Sequence, residues 1–295
     1  GNVYSWKGFP DIYWSNLEGS DLDFGNFISC FSFAESLIYA WQYTNDEVYV
    51  NKLIRLLESF MKNDTQSLNV KVKGERLSNF VTIFNFLLDY ENMNPVFLMD
   101  FLKFMIKEAR EIASNIDVDF PDKTWKLYEA WGLYKFCAYF PEFVNSNAWF
   151  LDCKSKIEGY SRTLLNDDFS FFESSTSYLY ESLCLFVKIK EFSDIFGIGL
   201  SGGFYENVKK MAHFFVNLTF PNGYAIGLGE AGYKDAGDFL EKFCDVFCDD
   251  YLKFIITGGK EGVEPDYYSI FYPDAKLAVM RDGFLKDSLY LAFQN

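Results

Sequence analysis

The chain has 295 residues, about half of them apolar and a fifth aromatic, with 27 Lys and Arg against 42 Asp and Glu for a formal charge of −15. Length and apolar content suffice for a large core, which excludes a disordered chain. The negative balance argues against nucleic acid and anionic membranes, because both demand a basic surface, although a few basic side chains gathered in one cleft still suit an acidic ligand.

Helical periodicity runs through most of the chain, in nine stretches at about 27–43, 46–61, 75–90, 94–113, 123–139, 145–165, 173–194, 203–219 and 235–256. Within 46–61, Tyr49, Leu53, Leu56, Leu57 and Phe60 follow the i, i+3, i+4, i+7 rule behind Asp46. Within 94–113, Leu98, Phe101, Leu102, Met105, Ala109 and Ile112 do the same behind Asn94-Pro95, a cap followed by a first-turn proline. Short polar connections make consecutive helices antiparallel neighbours, so the expected fold is mainly α, an incomplete toroid of helical hairpins. No fixed-period repeat is visible, which disfavours a solenoid. A concave face lined by Tyr and Trp suits a sugar, since the rings offer an apolar face and a polar tip.

After about residue 258 the pattern changes. Gly258-Gly259 and Pro265 punctuate, then DYYSIFYP, AKLAVMRDG and DSLYLAFQ predict three short strands. The expected organisation is a helical domain over 1–258 and the beginning of a β domain over 259–295, cut off at Asn295. The chain opens at Gly1 without an initiator methionine, which reads as processing or trimming.

No uninterrupted apolar run reaches the length of a membrane span, so membrane insertion is not expected. Six scattered cysteines and the single histidine, His213 in MAHFFVNL, read as core rather than metal ligands, and the Cys244 and Cys248 pair lacks the further ligands a zinc site needs. No redox cofactor or nucleotide motif is present.

Six segments carry a resemblance in this order: AWQYTNDEVY at 40–49, a helix led by Arg76, EAWGLYKFCAYFPEF at 129–143 with Trp149 after it, FFESSTSYLY at 171–180, PNGYAIGLGEAG at 221–232 and KLAVMRDG at 276–283. Together they resemble the helical part of the heparinase II/III-like polysaccharide lyases, whose relatives include alginate and chondroitin lyases and uronyl epimerases. The resemblance implies a helical toroid followed by a β-sandwich, an acidic, uronate-containing polysaccharide as partner, and β-elimination as chemistry. In such a reaction a base removes the C5 proton beside the carboxylate, an acid protonates the leaving glycosidic oxygen, and a donor stabilises the enolate.

The family's glutamate-x-serine-x-x-tyrosine helix implies Tyr178 as the proton-transfer residue, with Glu173 and Ser174 ahead of it. A free phenol has a pKa of about 10, so a catalytic Tyr178 calls for a positive partner, and Arg76 stands where some relatives bind substrate. Thr124 and Trp125 occupy the positions of the family's usual asparagine and its following histidine or aromatic; threonine offers one donor where the amide offers two. Leu179 replaces a frequent histidine. Glu230 takes the acid's place in the glycine-rich turn, and a second catalytic histidine is expected beyond Asn295. Against these roles stand plainer ones: packing for Tyr178, a helix-end ion pair for Arg76, burial for Trp125 and a solvated turn for Glu230. The alternatives in function are a glycan-binding or assembly module of capsule or exopolysaccharide metabolism, a glycoside hydrolase, or a uronyl epimerase. Relatives imply a periplasmic or secreted protein, whereas unpaired cysteines favour the cytoplasm.

Overall fold

The computed structural model describes residues 22–63, 70–118, 123–229, 231–232 and 234–295. Among them are eleven helices: α1 (Leu22–Ser29), α2 (Ala34–Thr44), α3 (Glu47–Lys62), α4 (Val70–Leu88), α5 (Pro95–Asn115), α6 (Lys123–Tyr139), α7 (Ser146–Thr163), α8 (Thr176–Ile195), α9 (Gly202–Asn217), α10 (Gly237–Phe247) and α11 (Asp250–Ile256). A two-residue ribbon, β1 (Tyr224–Ala225) with β2 (Lys234–Asp235), precedes α10, and β3 (Ile270–Tyr272), β4 (Leu277–Arg281) and β5 (Tyr290–Gln294) close the chain.

Two of the nine expected stretches are each two helices. The first breaks between α1 and α2 where Phe31 turns left-handed at φ 58°, and the last breaks at Cys248, φ 51°, before Asp249 caps α11 through Leu252 N–H at 3.0 Å. Bulky residues rarely adopt this conformation. Cys248 is exposed at that turn, which corrects its assignment to the core. The expected caps at α3 and α5 form, with Asp46 accepting Val48 N–H at 3.0 Å and Asn94 accepting Val96 N–H at 2.9 Å.

The chain divides into two compact units, residues 1–119 with 128–153, and residues 120–127 with 154–295. In the first unit α2 packs on α3 and α4 on α5. Its core is phenylalanine: Phe31, Phe60, Phe80 and Phe101 are buried, and Phe80 meets the rings of Phe31 and Phe101 edge-on at 5.2 Å. Such pairs contribute about 0.5–1.5 kcal/mol each beyond burial. Helices α4 and α6 approach backbone to backbone, because Gly74 lies against the Tyr128 carbonyl and Gly132 against that of Gly74.

In the second unit α8 packs on α9 and α10 on α11. The strands form an antiparallel sheet in the order β3, β4, β5, pairing Phe271 with Ala278 and Ala278 with Phe293. One sheet face is buried through Tyr272, Leu277, Val279 and Arg281. Arg281 Nη2 donates to the carbonyls of Val216, Asn217 and Thr219 at 3.1–3.4 Å, a cation at the negative end of α9. Asn217 donates to the hydroxyls of Tyr267 and Tyr272, and Tyr290 donates to the Asn217 carbonyl at 2.8 Å. Burial pushes all three phenols up, Tyr290 to about 12, so the cluster ties the sheet to the end of α9 as neutral hydroxyls.

Candidate functional site

The start of α8 is built by a strained approach and a conventional cap. Phe169 and Ser174 take left-handed backbone at φ 65° and 49°. Ser175 is then extended, and its hydroxyl accepts the Tyr178 N–H at 3.5 Å. Ser175 therefore caps this helix. Tyr178 follows in the first turn, half-buried. Two residues later Tyr180 packs on Phe215 and Phe239, and burial, with Cys184 and two aspartates nearby, pushes its phenol up to about 12. Tyr180 is thereby held protonated and is unsuited to act as a base.

The start of α8 is joined to the start of α6. One Glu173 oxygen accepts the backbone N–H of Thr124 and the other its hydroxyl, both at 2.9 Å. That N–H lies in the first turn of α6, where amides lack helical partners and the dipole favours negative charge. Ser182, buried on α8, meets the same hydroxyl at 3.2 Å. Because the Thr124 hydroxyl donates to Glu173, it receives the hydrogen of Ser182.

Thr124, expected to line the cleft, is placed inside the framework by this arrangement. Thr124 is fully buried and its only side-chain hydrogen is committed to Glu173, so it acts on the framework. Glu173, half-buried, spends one oxygen on each of these two bonds. Trp125, beside it, is half-buried. Neighbouring Lys123 donates to the Thr163 carbonyl at 3.1 Å and lies 4.2 Å from the centre of the Phe172 ring, bringing a positive charge to the same start of α6. Glu230 lies outside the described residues.

Arg76 belongs to the first unit. Its Nε and Nη2 donate to the two Glu108 oxygens at 2.7 Å each, and its guanidinium stands 5.1 Å from the centre of the Phe60 ring. Both side chains are nearly inaccessible, at 3% and 8%. Of the two readings of Arg76, substrate contact and ion pair, the ion pair with Glu108 is the one formed in this arrangement.

Sequence reasoning missed Thr176. Its hydroxyl donates to the Ile226 carbonyl at 2.8 Å and accepts the Leu228 N–H at 2.9 Å, tying the 221–229 loop to the start of α8. A side chain at Gly229, φ 66°, would press on the Ser174 carbonyl. His213, read as core, is a quarter exposed; it hydrogen-bonds Asp249 at 2.9 Å and stacks on Tyr251. Among the described residues no three His, Cys, Asp or Glu side chains gather as metal ligands, and no helix is long and apolar enough to cross a membrane.

Residues 3–252 match the family described as Heparinase II/III N-terminus, and the chain belongs to that family. A curated relative, the heparin-sulfate lyase of Bacteroides stercoris, is 25% identical over 224 residues, 73% of this chain and 33% of the relative. The crystal structure of a heparinase III superposes with a TM-score of 0.85 at 18% identity, over 99% of this chain and 48% of that one. A heparan sulfate lyase of Pedobacter heparinus gives 0.74 at 18% identity, with the same coverage. The chain thus spans a third of the length of the curated relative and about half that of the solved structures. The structural likeness shows the fold: mainly α, with antiparallel strands at the C-terminal end.

Proposed function

We propose that this chain is the helical part of a polysaccharide lyase that cleaves an acidic, uronate-containing polysaccharide by β-elimination, with Tyr178 as its proton-transfer residue. The observation that carries the reading is the clasp at the start of α8. Ser175 caps the helix, Glu173 grips Thr124 and Thr176 grips the 221–229 loop, so three independent sets of hydrogen bonds fix the turn bearing Tyr178. Fixing the backbone that carries a reacting group lowers the entropy cost of aligning it. The names of the similar proteins, heparin-sulfate and heparan sulfate lyases, support a glycosaminoglycan of that kind as substrate.

In this reaction the C5–H bond breaks to a base, its electron pair forms the C4–C5 double bond, and the C4–O bond breaks. Tyr178, protonated, supplies the hydrogen that the leaving oxygen needs. Thr124 and Glu173 position it, Trp125 offers a ring beside them, and Lys123 adds positive charge at the start of α6. Glu230 keeps the role that the resemblance implies, a contact to a sugar hydroxyl. Arg76 serves the first unit as the partner of Glu108.

The strands at 270–294 open a β-sandwich domain in this reading. The outer sheet face carries Phe271, Met280, Leu291 and Phe293, each more than half exposed, an apolar surface that a second sheet would cover. An exported protein, periplasmic or secreted, suits a polymeric substrate; six free cysteines are the observation on the side of a reducing compartment. The loss of the amide at Thr124 favours a second reading, a toroid that binds the polysaccharide without cleaving it. The two separate on one assay: β-elimination leaves an unsaturated product that absorbs in the near ultraviolet, and binding alone leaves none.

A further inference from the structure

A cavity of about 670 Å³ opens on the second unit between the turn after α9 and the loop leading into β5. Phe220 and Tyr290 form one wall, their rings edge to face with centres 5.0 Å apart, and Tyr224, 45% exposed, borders it too. Asn222, Ser288 and Lys286 supply polar groups. The Asn222 side-chain oxygen accepts the Tyr224 N–H at 3.2 Å, which holds the turn and leaves the amide nitrogen as a donor. Lys286 is exposed and makes no ion pair among the described residues. Of the two aspartates near it in sequence, Asp282 faces the hairpin backbone, accepting Leu289 N–H at 2.8 Å; Asp287 is exposed.

This combination selects a ligand class. The cavity has the size usual for small ligands and is open to solvent. Aromatic walls take the apolar face of a pyranose ring, while amide and hydroxyl groups take its hydroxyls. Lys286, in no ion pair among the described residues, takes one anionic substituent. The loop that forms one wall continues to Ile226 and Leu228, both hydrogen-bonded to Thr176, two residues before Tyr178. A short piece of backbone thus joins this cavity to the start of α8.

We propose that the cavity is a subsite for a single anionic sugar residue, a uronate or a sulfated hexosamine, held by Lys286 and by the rings of Tyr224 and Tyr290. The identity of the polymer rests on the lyase reading. The anionic group comes from carboxylate or sulfate, and these are separated by comparing heparan sulfate tetrasaccharides with chemically desulfated, N-acetylated ones.

The test is calorimetric binding of both probes to the 295-residue chain and to its Lys286→Ala, Lys286→Arg and Tyr224→Ala variants. Lys286→Ala and Tyr224→Ala each weaken binding about five- to tenfold, Lys286→Arg binds within about twofold of wild type, and all three melt as wild type does. A Lys286→Ala defect confined to the sulfated probe assigns the anion as sulfate; an equal defect on both assigns carboxylate. Wild-type affinity in both alanine variants overturns the subsite while leaving the lyase reading intact. Absence of wild-type binding to either probe, with no unsaturated product formed, overturns the lyase reading and the subsite with it.

Discussion

Glu173 holds Thr124 by two atoms at once, accepting its backbone N–H and its hydroxyl at 2.9 Å each across 49 residues of sequence. The carboxylate thus does for α6 what a helix cap does from within the chain, and it does so from the segment that launches α8. Glu173→Ala leaves a buried amide and hydroxyl without their acceptor, which costs about 1–3 kcal/mol of stability. Glu173→Gln keeps one acceptor oxygen and recovers part of this. Urea unfolding of the two variants measures the difference; equal, wild-type stability in Glu173→Ala would show that the clasp contributes nothing.

The Arg76–Glu108 pair makes an opposite pattern of single and double substitutions. Arg76→Ala strands a buried carboxylate and is expected to cost about 3–5 kcal/mol, whereas the double change Arg76→Met with Glu108→Leu, similar in volume, lies close to wild type. Denaturation of the three proteins tests this. A stable Arg76→Ala protein with lost polysaccharide binding would return Arg76 to the ligand.

Gly74 and Gly132 invert the usual effect of replacing glycine in a helix. Helix propensity alone predicts a gain of about 1 kcal/mol for alanine. Here a methyl at Gly74 meets the Tyr128 carbonyl, and one at Gly132 meets that of Gly74. Backbone carbonyls do not yield as side chains do, so either alanine is expected to destabilise by about 1–3 kcal/mol, read as a lower melting temperature. A raised melting temperature would contradict the close crossing.

The His213–Asp249 pair predicts an acid limb in stability. Burial pushes the Asp249 carboxyl up, but the hydrogen bond and charge of His213 outweigh it and hold the group below its ordinary value of 3.8. A depressed carboxylate stabilises the fold above the unfolded value, and the contribution is lost as pH falls through the folded one. Melting temperature between about pH 2 and 6 should therefore fall less steeply in Asp249→Asn than in wild type. Parallel profiles would remove Asp249 from this role.

Much of the fold was legible locally. Asp46, Asn94-Pro95 and the alternation in LAVMR are short-range signals, and α3, α5 and β4 stand where they point. The breaks at Phe31 and Cys248 were illegible because a left-handed turn without glycine leaves no compositional mark. Tyr178 could be found from its motif. Its support could not: Thr124 pairs with Glu173, and Thr176 with Ile226 and Leu228, across about fifty residues, and only tertiary packing on the start of α8 brings them together. The same long range hid Glu108, 32 residues from Arg76, so the ion pair expected as one reading of Arg76 had no partner legible in the sequence.

The central claim is most directly tested by following near-ultraviolet absorbance while the wild-type protein and its Tyr178→Phe variant act on heparan sulfate, with unfolding curves to verify that both are folded. The expected result is an unsaturated product from the wild type and a loss of roughly 100-fold or more in the variant, the size of a general acid–base contribution. Undiminished product from Tyr178→Phe, or new reducing ends without the absorbance, would contradict it.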